Sequence, residues 1–142
     1  MSGFGLIVLD TNVISEPLKS MPEPKVMAWL DDQADETLFI TAISRAELRF
    51  GVLKLPDGKR KNALAAQIEQ VLDLFKERTL NFDIAASDKL AEIAARCEKI
   101  GKPAVAPDAY IAACAAARGF AVATRNLRHF EPTGVRAINP WK

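Results

Sequence analysis

The chain is short of the residues that most often announce a chemistry. Its one histidine, His129, has no serine or cysteine nucleophile at a recognisable spacing, which gives no support to a Ser/His/Asp or Cys/His mechanism, and it reads as a surface or loop residue. The two cysteines, Cys97 and Cys114, lie far apart in alanine-rich helical patterns, with no CxxC or Cys/His spacing, and read as buried thiols in a reducing cytoplasm. Neither a P-loop nor a glycine-rich dinucleotide fingerprint is present. Long apolar runs are missing as well: the longest, Ala109 to Ala117, falls short of the ~20 residues needed to cross a bilayer. No positively charged leader precedes the apolar run Leu6 to Leu9, so no membrane or secretion role is expected, and the protein is read as cytoplasmic. Nor is there an excess of one charge. With 19 Lys and Arg against 18 Asp and Glu the net charge is +1, so any basic face must be local.

What is there is enough apolar material to fold: 49% hydrophobic and 26% charged residues in 142, which suits one domain spanning 1–142. Leu6 to Leu9 is a short run of β-prone residues followed at once by Asp10-Thr11-Asn12, good helix-capping types, so a buried strand feeds a short helix reaching about Leu18. After Pro22 and Pro24 comes an amphipathic segment with Val26, Met27 and Leu30, then a strand at Thr37 to Ile40. A helix with Ala46, Leu48, Phe50, Val52 and Leu53 follows, closed by Pro56-Asp57-Gly58.

Apolar residues at three- and four-residue steps predict a long helix from Lys59 to about Glu77. A second is predicted from Ile84 to Ile100, with Leu90, Ile93, Ala94, Cys97 and Ile100 on one face. Thr79 to Phe82 could be a strand between them. Pro107-Asp108 opens a helix ending near Gly119, Phe120 to Ala123 is a strand, and Val135 to Ile138 a last edge strand. Strands alternating with helices of this length predict an α/β fold in three layers, α/β/α, with a mainly parallel central sheet.

Ligands of such sheets bind at the carboxyl ends of the strands. That rule selects Asp10 after the first strand, Glu47 early in the helix after the second, Asp108 at the start of the helix feeding the late strand, and Thr124 to Asn126 after it. Carboxylates gathered in one cleft repel each other, and a hard divalent cation, Mg²⁺ or Mn²⁺, relieves that most naturally. Each acid also begins a helix. Asp10 could be only an N-cap, Ser44-Arg45-Ala46-Glu47 matches a capping box, and Asp108 could complement a helix dipole; taken singly, capping explains each as readily as catalysis. Lys54, Lys59, Arg60 and Lys61 form one basic run, more simply a solvated helix start, while Arg118, Arg125, Arg128 and Arg136 form a second basic zone near the acids.

Four blocks in order, Leu9-Asp10-Thr11-Asn12, Ser44-Arg45-Ala46-Glu47-Leu48, Pro107-Asp108-Ala109 with Ile111-Ala112, and Ala123-Thr124-Arg125-Asn126 with Phe130, resemble the PIN-domain nucleases, and among them the VapC-type toxins of bacterial toxin–antitoxin pairs. The resemblance covers nearly the whole chain. It implies a PIN-like fold and a metal-dependent endoribonuclease that forms a homodimer and is neutralised by a VapB-type antitoxin. Asp10, Glu47 and Asp108 would hold one or two Mg²⁺ ions, with Thr11, Asn12, Ser44, Thr124 and Asn126 as supporting polar groups and Arg118, Arg125 and Arg128 on the RNA. One departure stands out: where many such proteins carry a fourth acid, this chain has Asn126 and His129. That departure motivates an alternative, a weakly active or inactive module that acts with its antitoxin on operator DNA. A generic phosphohydrolase of small phosphate esters is a third reading, weakened by the absence of a DxD pair after the first strand.

Overall fold

A computed structural model describes residues 5–142; the reading of the extreme N-terminus rests partly on Met1 to Phe4, outside the described residues. Five short strands, β1 (Ile7–Leu9), β2 (Leu38–Thr41), β3 (Thr79–Leu80), β4 (Ala121–Ala123) and β5 (Ala137–Ile138), form one sheet in the order β3-β2-β1-β4-β5, with every pairing parallel. The helices are α1 (Thr11–Ser15), α2 (Pro24–Asp31), α3 (Ala42–Leu53), α4 (Lys59–Leu74), α5 (Ile84–Lys99), α6 (Asp108–Arg118) and α7 (Leu127–Phe130). The three-layer α/β/α expectation holds. Among the described residues no helix is long and apolar enough to cross a membrane.

Strand alternation divides the core in two. Ile7 and Leu9 of β1 join Leu38 and Ile40 of β2 on one face, where Val13, Leu48, Val52, Ile68 and Leu72 of α1, α3 and α4 cover them. Val8 points the other way and packs with Val122, Ile111, Ile93, Cys97 and Phe130, from β4 and from α5 to α7. A strand buried on both faces needs an unbroken apolar run, which is why β1 reads Ile-Val-Leu without alternation. The alanines of α6, buried from Ala112 to Ala115 around Cys114, let that helix lie close to the sheet and to α5. Both cysteines are buried and unpaired, as the spacing predicted, and burial pushes the Cys114 thiol up to about 11.

Some helix faces differ from the periodic reading. In α5 Ile93 and Cys97 are buried and Leu90 packs beside them, whereas Ala94 is exposed and Ile100 is 52% exposed, because the packed stripe runs along Ala86, Leu90, Ile93 and Cys97. In α3 Leu48 and Val52 face the core while Phe50 and Leu53 stand in solvent. The short α7 and its following 3-10 turn, Glu131–Thr133, had no periodic signal because one turn of helix is too short to show one.

The N-terminus of α3 settles the capping question. The cap is Thr41, fully buried, whose hydroxyl accepts from Ser44 N at 3.1 Å; Ser44 lies inside the helix and Glu47 takes no part in a capping box. Thr41→Val keeps the side-chain volume and removes that acceptor, so it is expected to cost about 1–2 kcal/mol in urea denaturation. A midpoint equal to that of the unchanged protein would show that Ser44 N–H finds another acceptor.

Candidate active site

The strand order reverses direction at β1, with β2 on one side and β4 on the other, and the carboxyl ends of β1 and β4 open a crevice at that point. Asp10 ends β1 and Thr124 ends β4, and the two meet there: the Thr124 hydroxyl donates to Asp10 Oδ2 at 2.7 Å, wholly buried. Asp10 Oδ1 accepts from Thr11 N at 2.8 Å, so Asp10 is the N-cap of α1 as well. Its backbone N–H is tied to Ala123 O at 2.9 Å. Carboxylate position is therefore set by two strands and a helix start.

Two more carboxylates face this one. Thr11 Oγ1 donates to Glu47 Oε1 at 2.6 Å and shares a 2.8 Å hydroxyl contact with Ser44 Oγ, which brings the first turns of α1 and α3 together. Because α6 runs antiparallel to the strands it feeds, its N-terminus and Asp108 lie at the same end of the sheet as Asp10. The Asp10 carboxyl feels all of this: burial first, then the charge of Asp108 and that of Glu47, push it from 3.8 up to about 6, against the lowering pull of the Thr124 hydroxyl and Thr11 N–H.

His129 is the residue whose role sequence reasoning misjudged. It is partly buried on α7, and its Nδ1 lies 2.7 Å from Asp108 Oδ2. The signal was its place in the chain: together with Asn126 it stands where the resemblance implies a fourth acid, and an imidazole in its Nδ1–H tautomer can donate to a carboxylate where an acid would repel it. Asn126, expected to support a metal, caps α7 without a side-chain cap bond; its backbone N–H donates to Thr124 Oγ1 at 3.0 Å, and its side chain is exposed. Asn12 Oδ1 accepts from Arg125 N at 3.3 Å and ties the loop after β4 to α1.

The arginines separate. Arg118 closes α6, ten residues beyond the Asp108 that opens it, about 15 Å away by helical rise, and meets Asp83 at 3.4 Å. Arg136 precedes β5 and lines a different cavity, with Arg96 and Gly134, at the amino end of the strands. Arg125 and Arg128 stay on the acid side, exposed, beside Asn126. In the earlier basic run, Lys61 pairs with Asp57 at 3.1 Å, as a helix start stabilised by its own turn would.

The donor set suits a hard divalent cation: oxygen ligands, a net negative field, and a buried carboxyl held near 6 for want of a compensating charge. Among the described residues, no three His, Cys, Asp or Glu side chains stand close enough to surround one ion as placed, since Glu47 is turned to Thr11 and Asp108 to His129.

Known proteins resemble this chain along nearly its whole length. The PIN domain matches residues 7–134. VapC ribonuclease Y4jK of Sinorhizobium fredii is 47% identical over 138 residues, 96% of this chain and 99% of that protein. Toxin FitB of Neisseria gonorrhoeae is 44% identical over 137 residues, 96% of this chain and 99% of its own. A solved structure of FitAB bound to an IR36 DNA fragment superposes with a TM-score of 0.93 at 43% identity, covering 96% of each chain.

Proposed function

The chain belongs to the PIN-domain family, and within it to the VapC and FitB toxins, and from that premise we propose that it is one PIN-like nuclease domain over 1–142 that hydrolyses RNA phosphodiester bonds as the toxin of a toxin–antitoxin pair. The observation that carries the reading is the buried Asp10 carboxyl, pushed up to about 6 among two further acids, an arrangement that costs stability and gains sense when it serves chemistry.

In this reading Asp10, Glu47 and Asp108 hold Mg²⁺ or Mn²⁺. Bound there, the ion would lower the pKa of a water and stabilise charge on the scissile phosphate and the leaving oxygen. The chain's own residues do the positioning. Thr124 and Thr11 N–H fix the Asp10 oxygens, so the carboxylate does not rotate. Thr11 holds Glu47 against α1 and is itself in contact with the Ser44 hydroxyl, and His129 engages one oxygen of Asp108. Burial behind β1 and β4 keeps water from the back of the acids, which strengthens every charge interaction in front of them.

The test is cleavage of a mixed RNA by antitoxin-free protein. EDTA is expected to stop it, Mn²⁺ or Mg²⁺ to restore it, and a small ester such as p-nitrophenyl phosphate to remain intact. Persistence of cleavage in EDTA, or hydrolysis of the small ester at a comparable rate, would reject the assignment. A VapB-type antitoxin and a homodimer complete the proposal.

A second reading has its own support: the FitAB relative is a complex bound to DNA. Here the domain acts with its antitoxin on operator DNA and cleaves weakly, a role compatible with Asn126 standing where an acid is common. Operator binding only by the complex, with no RNA cleavage by the free protein under any divalent ion, would favour it.

A further inference from the structure

The acids are flanked by two recesses of different character. On the Thr11 and Glu47 side a groove of about 830 Å³ sets Leu18, Met21, Leu48 and Leu64 beside Glu47, with Lys19 and Arg60 also in its walls. On the Thr124 side lies a recess of about 560 Å³ formed by Arg125, Asn126, Arg128, Asn139, Trp141 and Lys142, with no carboxylate side chain in its lining. Arg125, Arg128 and Lys142 are all exposed there, so the recess gathers positive charge in a protein of net charge +1. The buried Glu16 carboxylate lies within electrostatic reach of Arg125, so Arg128 and Lys142 carry the less opposed charge.

Its floor is ordered. The Trp141 indole packs against the core on the α3 and α4 side of the sheet, the backbone N–H of Trp141 donates to Asn139 Oδ1 at 2.9 Å, and the Arg125 guanidinium lies over the ring, 5.1 Å from its centre. The recess also joins the acids covalently and by hydrogen bonds. Asn126 N–H donates to the same Thr124 hydroxyl that donates to Asp10, and Arg125 N–H is fixed by Asn12.

We propose that this recess is the track for the single-stranded RNA flanking the scissile phosphate on one side. Arg125, Arg128 and Lys142 meet successive backbone phosphates, and the Arg125–Trp141 stack is the platform for one unpaired base. A polyanion seated on the acids needs a cationic exit, and of the two recesses only this one supplies it without acidic side chains. A flat cation-on-aromatic pair offers a π-face that an unpaired base can stack on and a paired one cannot. The inference rests on the ribonuclease reading above and assigns the Thr124 side, not the groove beside Glu47, to the nucleic acid.

The experiment uses the full chain, antitoxin-free, with a short fluorescein-labelled single-stranded RNA. Binding is read by anisotropy in EDTA, and cleavage of the same oligonucleotide is read separately with Mn²⁺. Arg128→Glu is expected to weaken binding about 10-fold or more and to reduce the slope of log affinity against log salt by about 0.7 for each phosphate that is no longer neutralised. Trp141→Ala is expected to weaken binding about 10-fold, and Trp141→Phe to recover most of it, with a slope that stays unchanged in both. Because Trp141 touches the core, circular dichroism accompanies its variants; the exposed Arg128 gives a result free of that concern. If the unchanged protein cleaves the RNA while Arg128→Glu and Trp141→Ala bind it as tightly as before, the track is overturned and the nuclease stands. Variants that keep RNA affinity but no longer bind the antitoxin hand the recess to a protein partner, which also overturns it. No cleavage and no binding by the unchanged protein would remove both the nuclease reading and the track.

Discussion

Asp10→Asn is expected to lower RNA cleavage by about 1,000-fold or more while making the metal-free protein more stable at neutral pH. Both halves follow from one carboxyl. It is 2% exposed, and its value is raised from 3.8 to about 6, so the fold prefers it protonated. Relative to an ordinary aspartate it contributes most to stability below pH 3.8, loses that contribution as pH rises from 3.8 through about 6, and leaves a constant penalty above. Two units correspond to about 3 kcal/mol, and losing the charge-assisted bonds from Thr124 and Thr11 N–H offsets part of it. The amide still accepts from Thr11 N–H and can donate to Thr124 Oγ1, so a net gain of about 1–2 kcal/mol is expected at pH 7.5 in EDTA, with a flatter stability profile between pH 4 and 6. Mn²⁺ should raise the melting temperature of the unchanged protein, through binding to the native state alone, and leave the variant nearly unmoved. Urea titrations over pH and a metal series measure all three. A variant that is less stable than its parent in EDTA at pH 7.5, or one that still cleaves RNA at a comparable rate, contradicts the assignment of Asp10.

The second large effect is mechanical. Phe130 is fully buried and is the apolar anchor of α7, a helix of only four residues that has no stability of its own. It packs into the same cluster as Ile111, Val122 and Ile93, so its ring holds α7 to α6 and the sheet. Phe130→Ala is expected to cost about 3–5 kcal/mol, a large share of the ~5–15 kcal/mol that folds a domain of this size. The loss reaches the site, because His129 is the preceding residue and reaches Asp108 only while α7 is docked. Phe130→Leu refills most of the volume and is expected to cost about 1–2 kcal/mol, which keeps the measurement possible if the alanine variant does not fold. Equal urea midpoints for the parent and Phe130→Leu, together with a loss below about 1 kcal/mol for Phe130→Ala, would mean that α7 is not held by this ring.

Much of this molecule was legible along the chain. The Ile-Val-Leu run of β1 announces a strand buried on both faces, and the steps of Leu64, Ile68, Val71 and Leu72 announce α4. Asp10, Glu47 and Asp108 could be singled out because each follows or precedes a strand at the end where ligands bind. What pattern left open was the choice between capping and chemistry. For Glu47 the coordinates remove the capping box, since Thr41, three residues before Ser44, is the cap and the glutamate meets Thr11 instead. For Asp10 they show the cap together with a second, buried bond from Thr124 that capping does not require.

Local pattern by itself determined the order and type of the elements, the parallel sheet and the placing of three acids at helix starts near the strand ends, because strand and helix periods and capping chemistry act within a few residues. Only the tertiary structure decided that His129 serves Asp108, that Arg118 leaves the site for Asp83, and that Arg125 and Trp141 form one surface. Those pairings join segments from 16 to 35 residues apart. Their energy depends on distance and burial after folding, and neither quantity has a counterpart along the chain.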